Sequence, residues 1–256
     1  MHQLPIQDYA LQEWQQNHVD QFLFALLEEE GLGETNPARR CGGCNEPSKP
    51  LHRCKSCSSP LMLCSLCIVA QHGYNPLHRI EVSGLPCVSQ RSQSSTHHLF
   101  GRQAWTGTHF EKTSLKDLEL VIQLGHPIGD KCHRPRKPKD DKFVVLSNDF
   151  IQYVTLRFCG CGGTADSDVD QLLKRGLFPA TTTAPQTAAT FRCLETFEVL
   201  QYESKLSALE YYQTLVRLTD NTGLTGDDDP KVSRNILFRV FDLKPSSRVA
   251  TPPSSA

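Results

Sequence analysis

Six cysteines and two histidines between residues 41 and 78 constrain this chain more than any other stretch. They are Cys41 and Cys44, Cys54 and Cys57, Cys64 and Cys67, then His72 and His78. A two-residue spacer lets both sulfurs of a Cys-x-x-Cys knuckle reach one ion, and zinc takes four such ligands in a tetrahedron. Eight ligands therefore suit two zinc ions. A cross-brace would put Cys41, Cys44, Cys64 and Cys67 on one ion, and Cys54, Cys57, His72 and His78 on the other. Sequential pairing would instead group Cys41, Cys44, Cys54 and Cys57. Interleaved loops bury both ions in one unit and favour the cross-brace, although the spacing is compatible with either. Both arrangements are saturated, with no position open to water, so both read as structural zinc. Unbound thiols are the bland alternative, and three knuckles in close succession with trailing histidines argue against it. Modules of this size carry little hydrophobic core, so the metal supplies much of the folding free energy.

The remaining composition fits an intracellular metalloprotein. Met1 to Asp20 has no apolar segment of the kind a secretory signal needs, mean hydropathy is -0.39, and no apolar run approaches a membrane span. The expectation is a reducing compartment, nuclear or cytoplasmic, where eleven cysteines serve as metal ligands rather than disulfides. The formal charge is -1. Nine metal-bound thiolates with three Zn²⁺ would take it to about -4. That is not the basic balance of a dedicated nucleic-acid binder, so any such contact must come from a local patch.

The chain reads as α+β: small zinc-stabilised modules flanked by an N-terminal helix and a C-terminal helical pair. The expected segments are an N-terminal helical segment (1–36), a double zinc module (37–82), a disordered insert (83–104), a zinc-bound strand and hairpin module (105–165), a helical segment (166–223) and a disordered tail (224–256). Trp14, Phe22, Leu23, Leu26 and Leu27 recur at helical spacing, predicting a helix over 8–30 with Gly31 or Gly33 as its stop. It reads as a docking or capping helix for the zinc module, with a partner-binding helix as the alternative. The Ser-, Gln- and His-rich insert holds Cys87, His97 and His98, read as solvated residues. Leu118, Leu120, Ile122 and Leu124 alternate as a strand would. Phe143–Leu146 and Phe150–Phe158 read as strands joined by a turn at Ser147-Asn148-Asp149. Residues 186–219 read as two helices. Phe191, Leu194, Phe197 and Leu200 form the first stripe, and Ser207 with Glu210 forms a capping box for the second. Cys193 reads as a core thiol.

A third ligand group lies downstream. Cys132 precedes the strands, Cys159 and Cys161 end one, and His126 or His133 completes the set of four. On a strand, alternate side chains share a face, so both sulfurs of Cys-x-Cys can reach one ion. The alternative is a buried or capping histidine beside three unmetallated thiols. Beside Cys132, Lys131, Arg134, Arg136, Lys137, Lys139 and Lys142 crowd one Pro-rich loop diluted by Asp130, Asp140 and Asp141. Arg134, Arg136, Lys137 and Lys139 are the candidate phosphate contacts. The loop also resembles a short nuclear-import patch, and a plain solvated loop is the competing reading.

The finger Cys41-x2-Cys44-x9-Cys54-x2-Cys57-x6-Cys64-x2-Cys67-x4-His72-x5-His78 resembles a B-box-type zinc finger. His78-Arg79-Ile80-Glu81, Trp105 with Phe110, Leu124-Gly125-His126, Phe158-Cys159-Gly160-Cys161, Leu177-Phe178-Pro179-Ala180-Thr181 and Thr187-Ala188-Ala189-Thr190-Phe191 then follow in order. Together, over roughly residues 9–223, they resemble the cysteine-cluster domain associated with fungal KDZ transposases. The resemblance selects His126 over His133 as the ligand accompanying Cys132, Cys159 and Cys161.

A transposase of that family would carry a separate nuclease-like domain with metal-binding carboxylates. The residues after Gly223 are too few for one, and Asp227, Asp228 and Asp229 read as a solvated acidic turn. No Ser/His/Asp or Cys/His constellation and no phosphate-binding Gly loop stands out. The insert at 83–104 interrupts the family pattern, and the family's continuation after Gly223 is lost. Both departures suggest a retained intron and a truncated element. The resemblance thus implies a non-catalytic, zinc-binding module that contacts DNA, chromatin or transposition proteins. The alternatives are a B-box-like protein-interaction or oligomerisation module without nucleic-acid contact, and a transposase remnant.

Overall fold

The structure, a computed structural model, describes residues 6–30, 40–47, 50–57, 59, 61–83, 110–161 and 166–220. The insert beyond Ser83, with Cys87, His97 and His98, and the tail with Asp227–Asp229 lie outside them. The chain is mixed α+β and divides into two compact units, the first built mainly from residues up to Thr113 and the second from Ser114 onward. No helix among the described residues is long and apolar enough to cross a membrane.

The first unit begins with helices α1 (Ile6–Asn17) and α2 (Val19–Glu30). β1 (Leu51–Cys54), the short helix α3 (Ser65–Gln71), β2 (Ile80–Ser83) and β3 (Glu111–Thr113) follow. The three strands form an antiparallel sheet in the order β1-β2-β3, with Cys54 opposite Ile80 and Ile80 opposite Thr113. Among the described residues of this unit, Leu51, Met62, Leu63, Ile68, Ile80 and Phe110 are the buried apolar side chains besides cysteine. The N-terminal helix expected to dock on or cap the zinc module does not use its apolar stripe for this, because Trp14, Phe22, Leu23, Leu26 and Leu27 are all exposed. The end of α2 is held by Arg53, whose guanidinium donates to the carbonyls of Glu29 (2.7 Å) and Glu30 (3.3 Å).

The second unit is larger than the zinc-bound hairpin expected from the sequence. It contains β4 (Val121–Gln123), β5 (Pro135–Arg136), β6 (Phe143–Leu146), β7 (Ile151–Cys159), α4 (Asp168–Lys174), β8 (Leu177–Pro179), β9 (Thr187–Thr190), α5 (Phe191–Ser204) and α6 (Ala208–Thr219). The strands make one six-stranded sheet in the order β4-β7-β6-β9-β8, with β5 pairing with the end of β7. β6 and β7 are the antiparallel hairpin read from the sequence, whereas β4–β7 and β6–β9 are parallel. All four residues of β6 are buried because both faces of the sheet are covered. Val144 and Leu146 join Ile151, Ala189, Leu194, Phe197, Tyr211 and Leu215 on the face carrying α5 and α6. Phe143 and Val145 join Ile122, Val154, Leu156, Phe158 and Leu172 of α4 on the other.

Local signals set the helix starts. Ser207 and Glu210 form the expected capping box at α6, and Ser167 with Asp170 forms another at α4. Thr190 caps α5 through the Cys193 N–H. Two local readings change. Thr187–Thr190, read as the start of a helix, is a strand because it pairs with β6. The alternating run Leu118–Leu124 is a strand only over Val121–Gln123; ahead of it Glu119 sits in the left-handed region at φ 64° and turns the chain.

Candidate metal centres

The structure brings the twelve candidate ligands into three groups of four: Cys41, Cys44, Cys64 and Cys67; Cys54, Cys57, His72 and His78; and His126, Cys132, Cys159 and Cys161. Within each group one donor atom per residue lies within 4.8 Å of all the others. His133 is exposed and outside the third group.

The first group is assembled by backbone amides as much as by side chains. The Cys41 carbonyl accepts from the Asn45 N–H, and Asn45 takes a left-handed turn at φ 60° that closes the knuckle. The buried Cys41 sulfur accepts the N–H of Gly43 (3.3 Å) and of Cys64 (3.2 Å), which ties the first knuckle to the third. A Cβ on Gly43 would stand 3.1 Å from the Cys67 sulfur, so the knuckle backbone passes close to its partner. Cys67 lies on α3, which brings it back toward the first knuckle.

In the second group, Cys54 ends β1 and Cys57 lies in the turn beyond it. Their sulfurs stand 3.5 Å and 3.3 Å from His78 Nδ1, while His72 is buried. In the third, Cys159 ends β7 and Cys161 lies just past the strand, its N–H donating to the Cys159 sulfur. The Cys159 sulfur is 3.2 Å from His126 Nε2, and the sulfurs of Cys132 and Cys161 are 3.5 Å apart.

These separations test the fit to a metal. Four ligands at zinc–sulfur distances of about 2.3 Å define a tetrahedron with edges of about 3.8 Å. The Cys44–Cys64 sulfur distance of 3.9 Å and the distances above lie near that edge. A disulfide would need about 2.05 Å. All twelve donors are thiol sulfurs or imidazole nitrogens, so the three groups suit a zinc-like ion.

Their acid–base behaviour points the same way. Cys67 is pushed up to about 12, first by its hydrogen bond with Cys64 and then by Cys41. At Cys41 burial raises the pKa, but backbone N–H groups of Cys44, Cys64 and Gly43 outweigh it and bring it to about 6. Cys161 falls to about 6 through hydrogen bonds with His126 and Cys132. Thiols this close cannot all ionise unaided, and a divalent cation at the centre removes that competition.

Sequence reasoning missed Gln171, the residue that braces the third group. Buried on α4, it accepts the Cys159 N–H at 2.8 Å through Oε1, and donates through Nε2 to the carbonyls of Cys159 (3.1 Å) and Asp166 (2.9 Å). A glutamine beside Leu172 and Leu173 was its sequence signal.

The basic loop is exposed at Arg134, Arg136, Lys137 and Lys139. Arg136 is tied to Asp168, reaches the Cys159 carbonyl at 3.4 Å and lies over the Phe158 ring. Lys137 pairs with Asp141 at 3.3 Å.

Residues 115–223 match the family described as "CxC2 like cysteine cluster associated with KDZ transposases". The match contains the whole third group and Gln171, and is narrower than the resemblance over 9–223; the finger at 41–78 lies outside it. Comparison with curated proteins and with solved structures returns no match. Over residues 115–223, then, this chain matches the CxC2-like cysteine clusters associated with KDZ transposases.

Proposed function

We propose that the chain is a non-catalytic, zinc-stabilised recognition module of a KDZ-type transposable element, contacting DNA, chromatin or transposition proteins. The closure of the three donor sets supports this reading. Each already offers four Cys or His ligands, leaving no open position for a reacting water or substrate. In this reading Cys41, Cys44, Cys64 and Cys67 hold one zinc, Cys54, Cys57, His72 and His78 the second, and His126, Cys132, Cys159 and Cys161 the third. The metals fasten chain segments and shape the surfaces between them.

Nucleic-acid contact would fall to the exposed loop that starts at Cys132. Metal analysis of the purified chain is expected to give three zincs; two would remove the third group. Binding to duplex DNA across a salt series tests the contact. Arg134→Ala and Lys139→Ala should each reduce the salt slope by about 1, and absence of binding at low salt refutes the DNA half of the proposal. A B-box-like protein-contact role is the second reading. It is favoured by the pairing of Arg136 with Asp168 and Lys137 with Asp141, which already engages two of the loop's cations within the fold.

A further inference from the structure

α1 and α2 form one helix with an apolar side that the other described residues do not cover. The hydrogen-bond ladder continues through His18, whose N–H donates to the Trp14 carbonyl and whose carbonyl accepts from the Phe22 N–H. At 100° per residue Leu11, Trp14, Phe22 and Leu26 fall within about 120° of one another. The Trp14 and Phe22 rings meet edge-on at 5.8 Å. No residue of α2 is buried, and Phe22 and Leu26 are 52% and 59% exposed.

The helix is mounted at one end. Arg53 donates to the last carbonyls of α2, where unsatisfied acceptors and the negative end of the helix dipole favour a cation. Arg53 is itself fixed by Glu81 at 2.8 Å and by stacking on Phe110 at 3.6 Å. Lys55 pairs with Glu30 at 3.6 Å. The apolar side is therefore presented on an anchored support.

Charge limits what can cover it. Residues 6–30 carry Asp8, Glu13, Asp20, Glu28, Glu29 and Glu30 and no lysine or arginine. Two copies laid side by side set carboxylates against carboxylates in either direction, with no cation from the helices to offset them. Nucleic acid and anionic membranes are repelled for the same reason. An apolar groove edged by cations complements both the side chains and the charge.

We propose that Ile6–Glu30 is a docking helix for a partner protein whose apolar groove is rimmed by lysine and arginine. This rests on the protein-contact side of the proposed function and requires no DNA binding.

The test uses the full zinc-loaded chain with Trp105→Phe, which leaves Trp14 as the sole tryptophan. The probe is a synthetic amphipathic peptide with a leucine face flanked by lysines, compared with its leucine/glutamate twin. Trp14 emission should shift to the blue with the lysine peptide, with affinity tighter by about tenfold or more than for the glutamate peptide. Phe22→Ser with Leu26→Ser should abolish the shift at unchanged zinc content. Glu28→Gln, Glu29→Gln and Glu30→Gln together should weaken binding by about tenfold. Equal binding of both peptides would overturn the proposal, as would binding that survives Phe22→Ser with Leu26→Ser. So would concentration-dependent dimerisation that buries Trp14 without peptide, or a shift with phosphatidylcholine vesicles and none with peptide. Loss of DNA binding in the salt series leaves these outcomes unchanged, so the two readings fail separately.

Discussion

Replacing Gln171 with leucine distinguishes a built third site from four residues that merely lie close. Gln171 is 3% exposed and satisfies both backbone polar groups of Cys159, with Oε1 accepting the N–H and Nε2 donating to the carbonyl. The strand ladder cannot do the second job, because the residue opposite Cys159 is Pro135, which has no N–H to donate. Leucine of similar size would leave the Cys159 N–H without its acceptor, at a cost of about 1–3 kcal/mol. The carbonyl would keep only the long Arg136 contact at 3.4 Å. A combined loss of about 2–3 kcal/mol follows. If it falls on the metal-bound arrangement, the third ion is held about 30- to 150-fold more weakly, at about 1.4 kcal/mol per decade. Titration with a chromogenic chelator reads this directly: one zinc of three should leave Gln171→Leu at a chelator concentration that strips none from the parent. Release of all three at the parent's concentration would refute the bracing argument. So would early release from the first two groups with the third retained.

Gly125 tests the same site from the opposite strand end. It sits at φ +74°, and a Cβ there would lie 2.5 Å from the Cys159 Cβ and 3.1 Å from Gln171 Oε1, so Gly125→Ala should cost about 2 kcal/mol or more. A lower melting temperature with earlier loss of one zinc is expected, and an unchanged zinc titration would contradict the close approach. Cys193 should behave as a buried thiol: burial pushes its pKa up to about 12, above an ordinary thiol near 9. The folded state therefore binds the proton more tightly. The associated stability is complete below pH 9 and is lost as pH rises from 9 toward 12. Cys193→Ala should flatten the fall of stability in that window and retain three zincs, and an unchanged slope would refute the assignment. Metal removal should affect the units unequally. By hydrogen exchange, amides in Leu51–Cys54 and Ile80–Ser83 should lose protection while Phe143–Leu146 keeps its own, and protection of β1 and β2 without metal would refute a metal-dependent first unit.

What could be read from the sequence was whatever is encoded over a few residues. The β6–β7 hairpin, the Ser207/Glu210 box and the knuckles depend on neighbours in the chain, and their signals were readable. The parallel pairs β4–β7 and β6–β9 join segments far apart in sequence, and nothing local marks them. That is why Thr187–Thr190 reads as helix and why the second unit appears as a mere hairpin. The N-terminal helix was recognisable from its spacing, but spacing cannot say whether an apolar stripe meets a core. Gln171 was hidden for a related reason: a glutamine becomes a brace only once β7 and α4 are adjacent.

The two units also differ in what the metals are needed for. In the first, six buried apolar side chains among the described residues accompany the Cys41, Cys44, Cys64 and Cys67 group, and the knuckle amides close onto cysteine sulfur. A metal held by these ligands would supply folding free energy that this apolar burial supplies sparingly. In the second, both sheet faces are covered by apolar side chains, and the third group lies at the end of β7 rather than between the layers. Its ligands come from the segment containing His126 and Cys132 and from the strand end at Cys159 and Cys161. A metal placed there contributes little to the core that the sheet already has. It would fix instead where the residues after Cys132 join the end of β7, and those residues include Arg134, Arg136, Lys137 and Lys139. The family match, which begins at residue 115, thus coincides with a core-supported unit whose Cys/His group adjoins an exposed loop. The ligand-rich stretch at 41–78 lies outside the match, and there a bound metal would have more of the fold to hold together. Under the proposed function, recognition by the first unit should therefore depend on metal through folding, and recognition by the second through the geometry of one loop.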